Sequence, residues 1–270
     1  MKKGSVLINL LIVSAFLLAS CNLPGKKEPD TGISNPAAAD LAGTYTPNAT
    51  IFPAATPTAT SVPSLCDHPY QPTGLGDAWF YSGSNTASNS YTRADVISSS
   101  GARAFSIGSN LAGVTYTVDY SCTSEGLIAN NPVQQYLGAL LVNPNANLEV
   151  SLISVSGITL PAEINPGDTW QQVAEVNGTL NGTSMSGWIV FNYTAVGFED
   201  ISVPAGTFNT LRIDANIRVE VTPLRILAGQ YNSSSWLAPD IGMVKSTGVS
   251  DVPGLNFTDS MELTKFSPAQ

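Results

Sequence analysis

Leu211-Arg-Ile-Asp-Ala-Asn-Ile-Arg-Val-Glu-Val221 is the stretch that decides the fold class. Its odd-numbered residues are all aliphatic, and its even-numbered residues carry charged or amide side chains. An alternation of period two places the two sets on opposite faces of a β-strand, one buried and one in water. A strand with one wet face is typical of an antiparallel sheet, because parallel strands are normally covered on both faces. The segment therefore predicts an antiparallel sheet with a solvated outer surface.

The region from Cys66 to Phe266 repeats this pattern in shorter pieces. Val114–Cys122 alternates cleanly, with valines, tyrosines and the cysteine on one face. Elsewhere, runs of β-branched and aromatic residues are separated by turn signals such as Asn165–Asp168. They predict further strands at Ala78–Tyr81, Tyr91–Ser98, Ala102–Ile107, Leu148–Val155, Thr169–Val176, Trp188–Val196, Ser234–Leu237, Gly242–Val249 and Thr258–Phe266. We therefore predict one all-β, or nearly all-β, domain over residues 65–270.

The architecture of this domain has two candidates. The length of Trp188–Val196 and Leu211–Val221 favours a barrel-like or half-barrel curved sheet, and a β-sandwich is the alternative. No period of about 20–50 residues recurs, which disfavours a propeller or solenoid. Asn131–Leu141 begins with a helix cap and a first-turn proline, but a strand fits that segment nearly as well as a helix.

The N-terminal residues have the three regions of a secretory signal peptide. Lys2 and Lys3 form a basic start, Val6–Ala19 is apolar at all but two positions, and Leu18-Ala-Ser-Cys21 ends the segment. This ending resembles the lipobox of bacterial lipoproteins, which implies cleavage before Cys21 and a thioether-linked diacylglycerol on its sulfur. A retained membrane helix is disfavoured because spanning a bilayer takes about 20 apolar residues. An ordinary signal peptide with an accidental cysteine is the other alternative.

We therefore expect residues 1–20 to be a lipoprotein signal peptide and the protein to be exported. It would be lipid-anchored in a membrane of the cell envelope, facing outside the cytoplasm. Residues 21–64 would form the lipidated N-terminus and a flexible, disordered linker. Leu41–Ser64 has no charged residue but four prolines and six threonines, a composition that cannot build a core. It resembles the stalks of bacterial surface lipoproteins.

The charge balance limits the partners. The chain has 11 Lys+Arg against 20 Asp+Glu, and removing Lys2 and Lys3 leaves 9 against 20, a balance of −11. A protein this acidic is poorly suited to nucleic acid or to anionic membranes as electrostatic partners. We expect the membrane to be a partner through the lipid anchor. For the domain, we expect an apolar small molecule or a surface protein.

The cysteines predict one cross-link. Once Cys21 is assigned to lipid, Cys66 and Cys122 remain as an even pair in an oxidising compartment. We favour a disulfide between them, and two buried free thiols are the alternative. Cys122 lies on the apolar face of its strand, so its partner is expected in or beneath the core. No zinc-ligand spacing is present, and we predict neither a metal nor a cofactor.

Four short motifs, Gly76–Trp79, Asn165–Trp170, Val203–Phe208 and Trp236–Lys245, resemble uncharacterised exported bacterial β domains. Through them the chain is distantly similar to lipoprotein-carrier-type domains, in which a curved sheet surrounds an apolar groove. As local structure the motifs favour turns that fix strand register, with the aromatic residues packed in the core. The alternative is a cavity for an apolar or glycan ligand, lined by Trp79, Trp170, Trp188 and Trp236.

No catalytic residue is predicted. His68, the sole histidine, is expected to be a surface or junction residue, and no Gly-x-Ser-x-Gly elbow is present. The acids that could serve a glycosidase are expected mostly in solvated turns: Asp67, Asp77, Glu163, Asp168, Glu199 and Asp240. We therefore expect a non-enzymatic envelope lipoprotein whose β domain binds an apolar ligand or a surface partner. A purely structural or adhesive module is the first alternative, and a carboxylate-based hydrolase is the second.

Overall fold

The computed structural model describes residues 64–86, 89–134, 148–180, 183–222, 226–252 and 256–269. All of them belong to Thr58–Gln270, the second of the two units into which the chain divides. The predicted signal peptide, the predicted lipid-attachment residue Cys21 and all but the end of the predicted linker lie outside the described residues. Within the described ranges, no helix is long and apolar enough to cross a membrane.

The strands of the described part form a single antiparallel sheet. They are β1 Ala78–Asn85, β2 Asn89–Ser100, β3 Ala104–Leu111, β4 Val114–Thr123, β5 Gly126–Ala129, β6 Leu148–Gly157, β7 Leu160–Pro161, β8 Thr169–Leu180, β9 Thr183–Val203, β10 Gly206–Val221, β11 Ile226–Ala238, β12 Gly242–Asp251 and β13 Phe257–Ser267. Their order in the sheet is β6-β8-β9-β10-β11-β12-β13-β1-β2-β3-β4-β5-β7. This confirms the all-β prediction, and it favours the curved sheet over the sandwich because one continuous sheet holds every strand.

The two edges of this sheet meet at one short segment. β6 and β7 are the outermost strands on opposite edges, yet only residues 158 and 159 separate them in the chain. The Ile158 N–H donates to the Gln171 carbonyl of β8 at 3.1 Å, and the Thr159 N–H donates to the Leu127 carbonyl of β5 at 3.0 Å. The sheet is therefore strongly curved, although no strand ladder among the described residues closes it. We call residues 158 and 159 the seam.

Side chains reinforce the seam. The Thr159 hydroxyl accepts the Ala129 N–H at 2.7 Å and donates to the Gln172 amide oxygen at 2.9 Å. The Gln172 amide nitrogen donates to the Ala129 carbonyl at 3.0 Å, and this glutamine is fully buried. Because buried polar groups are costly unless they are hydrogen-bonded, this closed set of bonds holds β5 against β8.

β10 packs as its alternation predicts. Leu211, Ile213, Ala215 and Ile217 are buried and form a core cluster with residues of the neighbouring strands, Phe191 among them. Arg212, Asp214, Asn216 and Arg218 face outward, and Arg212 and Asp214 form an ion pair there at 2.8 Å. Glu220 departs from this pattern because it is buried, with its carboxylate paired to Arg218 at 3.2 Å.

A disulfide secures the start of the domain. Cys66 and Cys122 are bonded, with their Cα atoms 5.1 Å apart, and both side chains are buried. The favoured pairing of the two cysteines is therefore present, and it ties the segment before β1 to the inner face of β4.

Several strand predictions need correction. β9 and β11 are much longer than the predicted Trp188–Val196 and Ser234–Leu237, and β5 and β7 were not predicted. In the segment that allowed either helix or strand, Pro132–Gln134 is helical. The rest of that segment lies outside the described residues.

Candidate functional site

The curved sheet surrounds a cavity of about 210 Å³. A water molecule needs about 10–15 Å³ of such volume, so this space is far larger than a packing defect. Strands from the whole sheet contribute to its wall, together with the seam. Most of the lining is aromatic or aliphatic, but eight polar side chains also reach it: Gln71, Arg93, Asp95, Thr159, Ser233, Ser235, Ser246 and Asp259.

The part of the wall beside the seam is apolar. Leu127, Leu160, Trp170 and Ile213 line the cavity there, and Leu127 pairs with Leu160 across β5 and β7. The Trp170 indole N–H donates to the Thr159 carbonyl at 3.1 Å, and its ring stacks on Tyr193 with centroids 5.4 Å apart. This end can contact the hydrocarbon part of a ligand without leaving the indole N–H unpaired.

Strand β2 carries a buried ion pair between Arg93 and Asp95. Arg93 Nε donates to Asp95 Oδ1 at 2.9 Å, and their side chains are only 13% and 8% exposed. Burial is the largest single effect and disfavours the charge on Arg93, but the Asp95 carboxylate together with Tyr116 and Tyr81 outweighs it and raises the arginine pKa. Burial, and then Asp95, also raises the pKa of Tyr81. Arg93 and Asp95 therefore form an ion pair within the cavity wall, and their formal charges cancel.

A second carboxylate faces the cavity from β13. Asp259 accepts a hydrogen bond from the Tyr91 hydroxyl at 2.7 Å and another from the Asn85 side chain. Burial raises the pKa of Asp259, although both hydrogen bonds and the charge of Arg93 favour its ionised form. Among the described residues it has no lysine or arginine at ion-pair distance. Asp259 is thus a half-buried carboxylate supported by neutral donors.

Two tyrosines approach the sheet closely beside Asp259. A Cβ atom at Gly83 would overlap the ring of Tyr91, and one at Gly248 would overlap the hydroxyl end of Tyr231. The two glycines therefore leave room for these tyrosines, both of which line the cavity.

The four tryptophans divide between the two faces of the sheet. Trp79 and Trp170 line the cavity, and the Trp79 indole N–H donates to the Ile241 carbonyl. Trp236 does not line the cavity, because it lies between Ser235 and Leu237, which both face the cavity; it packs against the core cluster that includes Cys66 and Cys122, as the favoured interpretation of its motif expects. Its indole N–H instead donates to Glu199.

Trp188 also faces away from the cavity. It pairs with Glu175 on β8, whereas the next residue of β9 pairs with the buried Ala174 of the inner face. The strand alternation therefore puts Trp188 on the outer face.

The motif Val203–Phe208 has the local structure that its sequence predicts. It contains the β9–β10 turn, and its Phe208 packs against the core that includes Cys66 and Cys122.

His68 is a buried junction residue rather than a surface residue. Its exposure is 9%, its Nε2 lies 2.8 Å from the Pro161 carbonyl of β7, and its Nδ1 accepts the Tyr70 N–H at 3.1 Å. Since Nδ1 accepts, Nε2 carries the proton and donates to Pro161. Desolvation lowers the pKa of His68. The ring therefore has a structural role, joining the segment before β1 to the seam region.

The acids singled out in the sequence do not converge on the cavity. Asp77 is buried, where its carboxylate accepts the N–H groups of Gly74 and Ala269. The other five are exposed: Asp67, Glu163, Asp168, Glu199 and Asp240. In the part of the chain that the structure describes, no group of three His, Cys, Asp or Glu side chains could hold a metal ion.

Sequence reasoning missed Arg93, Asp95 and Asp259. The sequence pattern does indicate the position of Asp259, because this residue alternates with Phe257 and Met261 and so lies on the apolar face of its strand. A charged residue on such a face marks a polar site inside a core.

The fold and cavity define a class: an all-β protein in which one strongly curved antiparallel sheet surrounds a partly open cavity. In sequence, residues 117–248 match the model of a family described as DUF3108-like. No curated protein matches the chain in sequence.

Three solved structures are similar to the chain. A "putative lipoprotein" from Parabacteroides distasonis is 12% identical, with a TM-score of 0.52 over 74% of this chain and 100% of that one. A "putative exported protein with YmcC-like fold" from Bacteroides fragilis is 12% identical, with a TM-score of 0.49 over the same shares. The hypothetical lipoprotein YmcC from Escherichia coli is 11% identical, with a TM-score of 0.38 over 72% of this chain and 87% of that one. At these identities only the first similarity carries an argument, and it concerns the fold alone.

Proposed function

We propose that this protein is an exported lipoprotein that holds a small amphipathic molecule inside its β domain. The cavity of about 210 Å³ is the observation that carries the proposal. Its aromatic and aliphatic wall suits a hydrocarbon group, while its few polar side chains can fix the orientation of a polar end. An engineered apolar cavity of about 150 Å³ binds benzene, so the ligand would have on the order of ten non-hydrogen atoms.

The polar groups of the cavity favour binding over catalysis. Asp95 is held by Arg93, and Asp259 is held by Tyr91 and Asn85. A carboxylate-based hydrolase needs one acid to donate a proton and another to act as nucleophile or base. Side chains already engaged with their neighbours are better suited to binding a polar group than to proton transfer.

The anchor is the second part of the proposal. The Leu18–Cys21 ending supports lipidation of Cys21, and a protein of similar fold is named a "putative lipoprotein". A diacylglycerol brings two chains, enough for stable attachment. We expect Cys21→Ala to move the protein from the membrane fraction to the soluble fraction of the envelope. Full retention of the variant in the membrane would contradict the proposed anchor.

Two neighbouring residues on β12 test the cavity. Ser246 lines it, whereas Thr247 faces the other side of the sheet. In the full chain carrying Cys21→Ala, we expect Ser246→Phe to fill the cavity and weaken binding of 1-octanol at least about tenfold. Thr247→Phe should leave the affinity within about twofold. Isothermal titration calorimetry measures both, and circular dichroism checks folding. Equal effects of the two variants would contradict binding in the cavity.

A further inference from the structure

The cavity wall is polar on one side and apolar on the other. Along the sheet, β13 stands five strands from β8 in one direction and five strands from β5 in the other. Since β8 and β5 meet at the seam, the middle strand β13 faces the seam across the cavity. Asp259 is on β13, and the apolar side chains of Leu160 and Trp170 lie beside the seam. A ligand that spans the cavity thus meets a carboxylate at one end and hydrocarbon at the other.

The charges of the lining do not balance. Arg93, Asp95 and Asp259 are the ionisable acids and bases that reach the cavity among the described residues. Arg93 and Asp95 neutralise each other at 2.9 Å, which leaves Asp259 without a cation at ion-pair distance among the described residues. Its hydrogen-bond partners, Tyr91 and Asn85, are neutral. Asp259 is half-buried, and removing a charge even partly from water without an opposite charge is unfavourable, so a cation at this position would be stabilised.

Aromatic rings surround the same position. Tyr91 donates to Asp259, Tyr231 lines the cavity close enough to influence the ionisation of Tyr91, and Phe257 lies 6.0 Å from Tyr231 between ring centroids. Rings of this kind attract a cation over their faces. An anion would gain nothing here, because it would meet a carboxylate, and the only guanidinium that lines the described cavity is already paired.

We propose that the cavity binds a small amphipathic amine, with its ammonium group against Asp259 and its apolar part towards the seam. This inference rests on the proposed function, because it names the ligand class of the same cavity. It excludes fatty acids and other anionic amphiphiles as good ligands. A carboxylate or phosphate head group would be repelled by Asp259.

Three probes of equal chain length test the inference: octylamine, 1-octanol and octanoate. Near neutral pH they are cationic, neutral and anionic. We expect the full chain carrying Cys21→Ala to bind octylamine at least about tenfold more tightly than 1-octanol, since a hydrogen bond to a charged group is stronger than a neutral one. Octanoate should bind at least about tenfold more weakly than 1-octanol. Isothermal titration calorimetry gives all three affinities.

Two variants on β13 locate the charge. Asp259→Asn removes the cavity carboxylate and keeps the side-chain size, and it should bring the octylamine affinity to within about threefold of that for 1-octanol. Glu262→Gln removes the same charge from the outer face, where Glu262 pairs with Lys245, and should leave the ranking of the probes unchanged. If Asp259→Asn does not fold, the ranking measured on the parent chain decides alone.

The outcomes separate the two proposals. Octanol binding without a preference for octylamine, or octanoate binding as tightly as octylamine, would overturn the amine inference and leave the cavity proposal standing. An amine preference that survives in folded Asp259→Asn would also overturn it. Binding of none of the three probes would overturn both proposals.

Discussion

Arg93 and Asp95 on β2, and Arg212 and Asp214 on β10, are the same two side chains at the same spacing in one sheet. Their Nε–Oδ1 distances are 2.9 and 2.8 Å. The β2 pair faces the cavity, with side chains 13% and 8% exposed, whereas the β10 pair faces water, with side chains 36% and 40% exposed. The local chemistry is therefore the same, and the face of the sheet alone decides whether the pair belongs to a site or to the surface.

The largest difference between the pairs should appear when the arginines are removed. Arg93→Ala leaves a buried carboxylate without its cation, which costs about 3–5 kcal/mol of unfolding free energy. Arg212→Ala removes an exposed pair that contributes about 0–1 kcal/mol. Urea denaturation of both variants measures the two losses. Similar losses, or a larger loss for Arg212→Ala, would show that the β2 pair is not held in a desolvated interior.

A second comparison between the two faces concerns neighbouring glutamines on β8. Gln172→Leu leaves the Ala129 carbonyl and the Thr159 hydroxyl at the seam without this partner, which should cost about 1–3 kcal/mol. Gln171 is exposed and bonds to the side chain of Asn192, so Gln171→Leu should change stability by less than about 0.5 kcal/mol. The same denaturation experiment compares them. A neutral Gln172→Leu would mean that the seam is not a structural closure.

The smallest effect on stability is expected when His68 is substituted. Desolvation lowers its pKa in the folded state, so the unfolded chain binds a proton more readily than the folded one. This contribution to stability is complete above the unfolded pKa of about 6.5 and is lost as the pH falls from there through the folded pKa. His68→Gln should therefore have a flatter dependence of melting temperature on pH just below about 6.5.

The matched control for His68 is the parent chain over the same pH series, because the chain has no other histidine. Identical slopes for the parent chain and His68→Gln would contradict the burial of this ring.

The sequence alone predicts which face of β10 is buried, but it does not predict this for β2. Over Leu211–Val221 of β10 one face is wholly aliphatic, so only one register buries it. On β2 the inner face holds Tyr91, Arg93, Asp95 and Ile97, whereas the outer face holds Ala94 and Val96 beside Thr and Ser. Neither face is plainly the apolar one, and alternation alone could not show that the charges point inward.

β11 shows a second limit of prediction from sequence alone. Its middle, Gly229–Ser235, has no β-branched residue, so local propensity favours a loop there. Pairing with β10 on one side and β12 on the other nevertheless makes it a strand. The serines at 233 and 235 then reach the cavity only because of that pairing. Tertiary partners, which no single segment reveals, thus determine both the length of this strand and part of the site.

The four tryptophan indole N–H groups offer the most direct test of the cavity as a binding site. In a ¹H–¹⁵N correlation spectrum of the full chain carrying Cys21→Ala, each indole gives one signal, assigned by single Trp→Phe variants. On titration with 1-octanol, the signals of Trp79 and Trp170 should shift, because both residues line the cavity. Those of Trp188 and Trp236 should stay, because they lie on the outer face. No shift at Trp79 and Trp170, or equal shifts at all four, would contradict a ligand site inside the sheet.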